Sequence, residues 1–119
     1  MNNFADQERI MQRSLCLTRE CMGLMTRIEC VIRPLPRDNA QWIVLLAAGM
    51  AEEQPSAVRF QGPFPGLPCA RSVLTAIVEN LSVQGYQCLD DVPIWVLHVQ
   101  AELRRIDSDN ALRQRSSTF

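Results

Sequence analysis

Three features of the sequence predict an all-α fold of about four helices, with a long N-terminal helix and a Pro/Gly-rich loop between the second and third. The segment 4–33 contains no proline and one glycine, Gly23. Residues 42–50, WIVLLAAGM, are apolar almost all round, as a helix buried inside a bundle would be. Four of the seven prolines fall between Pro55 and Pro68, where they interrupt a chain otherwise free to coil.

The first helix spans 4–33. Asn3 is placed to cap it, Asp6 and Glu8 lie in the first turn where the helix dipole favours acids, and the prolines of Arg33-Pro34-Leu35-Pro36 end it. Its apolar residues form two adjacent rows, Met11, Leu15, Met22, Met25 and Ile32 beside Ile10, Leu17, Cys21, Leu24, Ile28 and Val31. Such a helix would run ~45 Å, while a compact domain of this length is only ~35 Å across. Part of it must therefore overhang or bend, and an overhang carrying Met11, Leu15, Leu17 and Met22 needs cover. A second copy of the chain supplies it, so a homodimer is expected, with Met11, Leu15, Met22 and Met25 as interaction candidates. A break near Gly23, folding the first half back onto the core, is the alternative. On the overhang reading, Asp at Met11 or Leu15 should disrupt self-association or partner binding and leave the fold intact.

The second helix spans 38–53, opened by an approximate capping box of Asp38 and Gln41 and closed by Glu52, Glu53 and Pro55. A loop over 55–67 follows, in which only Ala57 to Phe60 could pair as a short strand. Its Phe60 and Phe64 either plug the loop onto the core or, on a proline-stiffened scaffold, form a recognition surface. The third helix spans 68–84, from Pro68 in its first turn to a stop at Gly85, with Val73, Leu74, Ile77, Val78 and Leu81 on its buried face. After a connector, the fourth spans 91–107, with Asp90-Asp91 as its cap and Pro93 early in it. Residues 108–119 read as a frayed tail, and 1–119 as a single helical domain.

Composition narrows function by exclusion. Twelve basic groups, all arginine, stand against 13 acidic ones, and a net charge of −1 argues against nucleic acid as a direct partner. Arginine without lysine suits protein interfaces. Five cysteines at irregular spacing, behind a polar and acidic start MNNFADQERI, point to a reduced cytoplasmic protein. No apolar run is long enough to cross a membrane as a helix. His98 with Cys88 lacks a nameable orienting partner or oxyanion donor, no zinc spacing is present, and no glycine-rich phosphate loop occurs. No cofactor or metal is expected, and the chain reads as a non-enzyme. A helix-turn-helix fails because its recognition helix would open with Asp-Asp. Arg104, Arg105, Arg113 and Arg115 are interleaved with Glu102, Asp107 and Asp109, as on a solvated helix. Protein binding remains, and four of the five methionines lie in the first 25 residues, where adaptable side chains suit a partner surface.

Two stretches, VIRPLPRDNAQWIVLLAAGMAEE and GPFPGLPCARSVLTAIVENLSVQGYQCLDDVPIWVLHVQAELRR, cover a little over half the chain. In them the sequence resembles the quorum-sensing anti-activators of the QslA type, small bacterial regulators. The resemblance implies an all-helical homodimer that binds the ligand-binding domain of a LuxR-type transcription factor. By covering the receptor's dimerisation surface it would prevent DNA binding, a negative regulation by sequestration. A different use of the same architecture is a small acidic helical chaperone that holds a secreted or aggregation-prone client.

Overall fold

The computed structural model describes the backbone of residues 14–116 and the side chains of 14–109. The chain enters this region as strand β1 (Ser14–Cys21), turns at Met22-Gly23 and returns as β2 (Leu24–Leu35). Strands β3 (Asp38–Met50) and β4 (Ala57–Pro65) complete a meander. Helix α1 (Leu67–Val83) then crosses to the far edge, where β5 (Gln87–Leu89) pairs with β1 before helix α2 (Val96–Ser116). All pairings are antiparallel and the spatial order is β4-β3-β2-β1-β5.

The fold is thus not all-α, and the two N-terminal helices expected over 4–33 and 38–53 are corrected, among the described residues, to strands β1, β2 and β3 with turns at 22–23 and 51–53. The reason is that the sheet is covered on both faces. Leu15 and Leu17 of β1, Ile28, Cys30 and Ile32 of β2, and Trp42, Val44 and Leu46 of β3 pack on the α1 side with Ala70, Leu74 and Val78. Val31 and Leu35 of β2 and Ile43, Leu45 and Ala47 of β3 pack on the opposite side with Trp95, Val99 and Ile106 around α2. A strand buried on both faces is apolar at successive positions, and such a run has no period that separates it from a buried helix. The WIVLLAAGM stretch is therefore an interior strand between β2 and β4.

Local signals read for helices do other work. Met22 and Gly23 both take positive φ, 54° and 81°, the combination a two-residue hairpin turn requires. Asp38 Oδ1 accepts the Ala40 N–H at 3.2 Å, a turn contact in place of a capping box. Pro34 lies where the β2–β3 register shifts rather than at the end of a helix. The expected loop over 55–67 is mostly β4, an edge strand, where prolines interrupt pairing at little cost. Gly49 lets β3 pass the β3–β4 loop closely, since a Cβ there would stand 2.9 Å from the Ser56 nitrogen.

Helix α1 matches the helix read over 68–84, with proline in its first turn. Helix α2 begins five residues later than the helix read over 91–107 and continues to Ser116, so 108–116 is helical rather than a tail. No helix among the described residues is long and apolar enough to cross a membrane. With 14–33 folded into a hairpin, the overhang that argued for a homodimer is absent from the described residues.

Candidate functional site

The six residues singled out from the sequence do not converge. Met11 lies outside the described residues. Leu15, expected to be exposed, is 6 % exposed and belongs to the core under α1. Phe64 pairs with Trp42 and packs half-buried against the same core. Phe60 is exposed on β4, level with Leu45 and hence with Val31 across the sheet. Met22 and Met25 are exposed at the β1–β2 tip, and Met25 lies six residues along β2 from Val31, ~20 Å at strand rise. Leu15 and Phe64 meet only in the core, and of the exposed residues among the six that are described, only Met22 and Met25 share a neighbourhood.

A different surface is built with more structural investment. On the α2 side of β2, Arg27 and Glu29 are 4 % and 2 % exposed. Residues two apart on a strand share a face, and Arg27 Nε donates to Glu29 Oε2 at 2.8 Å. Arg27 also donates through Nη1 to Asp91 Oδ2 at 3.0 Å and through Nη2 to the Val92 carbonyl at 2.9 Å. Glu29 accepts the Ile94 N–H at 2.8 Å on Oε2 and the Trp95 N–H at 3.1 Å on Oε1. Glu29 thus holds the two residues that lead into α2, close to the helix end where the dipole favours a carboxylate.

The role expected of Asp90-Asp91 as helix cap is corrected accordingly. Asp91 accepts the neighbouring Val92 N–H at 2.8 Å and braces Arg27. That Arg27 hydrogen bond, with the Val92 N–H, holds the Asp91 carboxyl below the usual carboxylate range. Burial pulls the Arg27 pKa down, but the Asp91 and Glu29 hydrogen bonds outweigh it and keep the guanidinium above its ordinary value.

These bonds turn the backbone of residues 90–95 toward the sheet, and its side chains take the outside. Val92 is 75 % exposed, and Ile94, Val96, Leu97 and Leu89 are exposed with it. Trp95 alone points inward, buried against Ile43, Leu45 and Ala47, with its Nε1 donating to the Glu53 carbonyl at 2.9 Å. Residues 89–97 form a strap whose polar side is fastened and whose apolar side faces outward.

The chain belongs to the PA4575-like protein family. The family model matches residues 11–119, so it takes in the whole described sheet, both helices and the strap. No curated protein and no solved structure matches the chain.

Other groups weighed from the sequence fall apart in space. Cys88 faces the α1 core, while His98 stands exposed on α2 on the other side of the sheet. His98 lies exposed beside Val96 and Leu97, while Val99, next along the helix, is buried. All five cysteines are free thiols. Burial pushes Cys30 up to about 12 and also raises Cys16, so neither is primed as a nucleophile. Among the described residues no group of three His, Cys, Asp or Glu side chains could hold a metal ion.

Sequence reading missed Arg27 and Glu29 because it placed them on a helix. The pattern Arg27-Ile28-Glu29-Cys30 alternates polar with apolar residues, and that period of two was the signal available.

Proposed function

We propose that this protein acts by binding a folded partner protein through the strap of residues 89–97, and that it is a negative regulator of transcription working by sequestration. The observation that carries the reading is the pair of buried charges, Arg27 and Glu29, fastening a backbone segment so that Val92, Ile94 and Leu97 project outward. Exposed apolar side chains on a rigid frame lose little entropy on binding, which favours a preformed docking surface. The partner suggested by the sequence resemblance is the ligand-binding domain of a LuxR-type transcription factor. The helical homodimer that accompanied that suggestion does not carry over to a sheet, so the proposal rests on the strap.

Light scattering on mixtures of this protein with such a receptor domain tests it. A complex of defined mass is expected, lost in Leu97→Asp and Val92→Asp variants whose circular dichroism is unchanged. Absence of a complex removes the receptor as partner, and a complex indifferent to both variants removes the strap.

The chaperone alternative keeps one observation in its favour. Strand β4 is a sheet edge with exposed residues over 59–63, to which an extended client could add. Binding of a reduced, unfolded protein in preference to a folded domain would favour it.

A further inference from the structure

The hairpin tip, with the two methionines noted in the sequence, is not used by the strap. Turn residue Met22 is 97 % exposed and holds φ 54°, a left-handed conformation that disfavours a side chain of its kind. Beside it, Leu24 and Met25 are exposed, and with Gly23, Met50, Ala51, Glu52 and Glu53 they line an open groove of about 470 Å³. The groove has a fixed floor. The Ala51 N–H donates to the Met25 carbonyl at 3.0 Å, joining the hairpin to the β3–β4 loop, and Trp95 Nε1 ties that loop to the core through the Glu53 carbonyl at 2.9 Å.

Charge around the groove has one sign. Glu52 and Glu53 are exposed on its wall, and Glu20, directly opposite Met25 in the β1–β2 register, is exposed beside it. None of the three forms an ion pair among the described residues. We infer that this groove is a second docking surface, for a cationic amphipathic segment of another protein that seats apolar side chains on Met22, Leu24 and Met25 and basic ones on Glu20, Glu52 and Glu53. Flexible, polarizable methionine fits apolar anchors of varied shape, and the carboxylate rim selects their flanks. A second copy meeting this face about a two-fold axis would bring like charge to like charge, and an anionic lipid surface would be repelled for the same reason. The strained turn fits the same use, since a left-handed methionine persists where its projection serves binding.

Fluorescence anisotropy of a labelled 18-residue helix-forming peptide, with leucine on one face and lysine on the other, tests the inference. Binding is expected, weakening as salt rises, and falling at least tenfold in a Glu52→Lys/Glu53→Lys double variant and in Leu24→Ser. Leu97→Asp, on the strap, should leave it unchanged, which separates this surface from the one proposed above. The same peptide with glutamate in place of lysine, and vesicles of anionic phospholipid, should not bind. The inference is overturned if the lysine peptide does not bind, if the glutamate peptide or the vesicles bind equally well, or if both groove variants bind as the wild type does. A dimer that forms with concentration and is lost in Leu24→Ser would also overturn it, by seating a second copy on the groove.

Discussion

Arg27 and Glu29 are unusual as buried charges because they hold backbone as well as each other. Breaking such a pair by removing one partner typically costs about 3–5 kcal/mol, since the remaining charge keeps its desolvation penalty. Asp91 is different, being the solvent-facing end of the network. Its folded pKa lies below the ordinary value, so the folded state binds its proton less tightly than the unfolded chain does. The stabilisation is fully present above about pH 4, the usual aspartate value, and is lost as pH falls from there through the depressed folded pKa. Wild type should therefore be more stable than Asp91→Asn at pH 6, and the difference should shrink progressively below about pH 4, as measured by urea denaturation across that range. A constant gap would show that Asp91 acts by something other than its charge. Both members of the inner pair were legible as charged residues, but their burial was not, because nothing local states which elements will cover a strand.

At the scale of elements, the β1–β2 hairpin shows how one substitution can separate stability from binding. A left-handed conformation costs an L-residue other than glycine or asparagine roughly 1–2 kcal/mol, and two-residue turns of this kind prefer Asn-Gly. Met22→Asn should raise stability by up to ~1 kcal/mol, read from the shift of the denaturation midpoint, while weakening peptide binding at the groove. An unchanged or lowered midpoint would mean that Met22 makes a stabilising contact that compensates for its backbone. The turn itself was poorly legible: Gly23 suggested a break, yet Met-Gly is a weak turn signal beside Asn-Gly. Helix α1 was the clearest element in the sequence, because proline at its start, glycine beyond its end and a 3.6-residue apolar stripe all agree. Helix α2 was legible in kind but not in position, since the N–H groups of Ile94 and Trp95, just ahead of its first turn, are met by Glu29, more than sixty residues earlier in the chain.

For the whole molecule, the decisive feature is a five-stranded sheet with a helix on each side. That arrangement reverses the expectation for Leu15, read as a surface residue on an overhanging helix and found in the core under α1. Leu15→Ala should cost about 2–5 kcal/mol, the range for opening a cavity at a buried leucine, whereas Leu97→Ala on the strap should change stability by no more than ~0.5 kcal/mol. Paired thermal and chemical denaturation of the two variants checks this, and comparable losses would place Leu97 in a packed interface.

The sequence by itself determined the amount of apolar material, the near-neutral charge, the lysine-free surface, the third helix and the places where the chain must turn or stiffen. Those are properties of composition and of contacts within a few residues. Tertiary structure alone decided that the apolar runs of 14–50 are strands, that Leu15 is inside, and that residues 89–97 present their apolar side outward. The physical reason is common to all three. A residue's exposure depends on what covers it from elsewhere in the chain, and with both faces of a strand covered, the alternation that normally reveals a strand disappears from its own sequence.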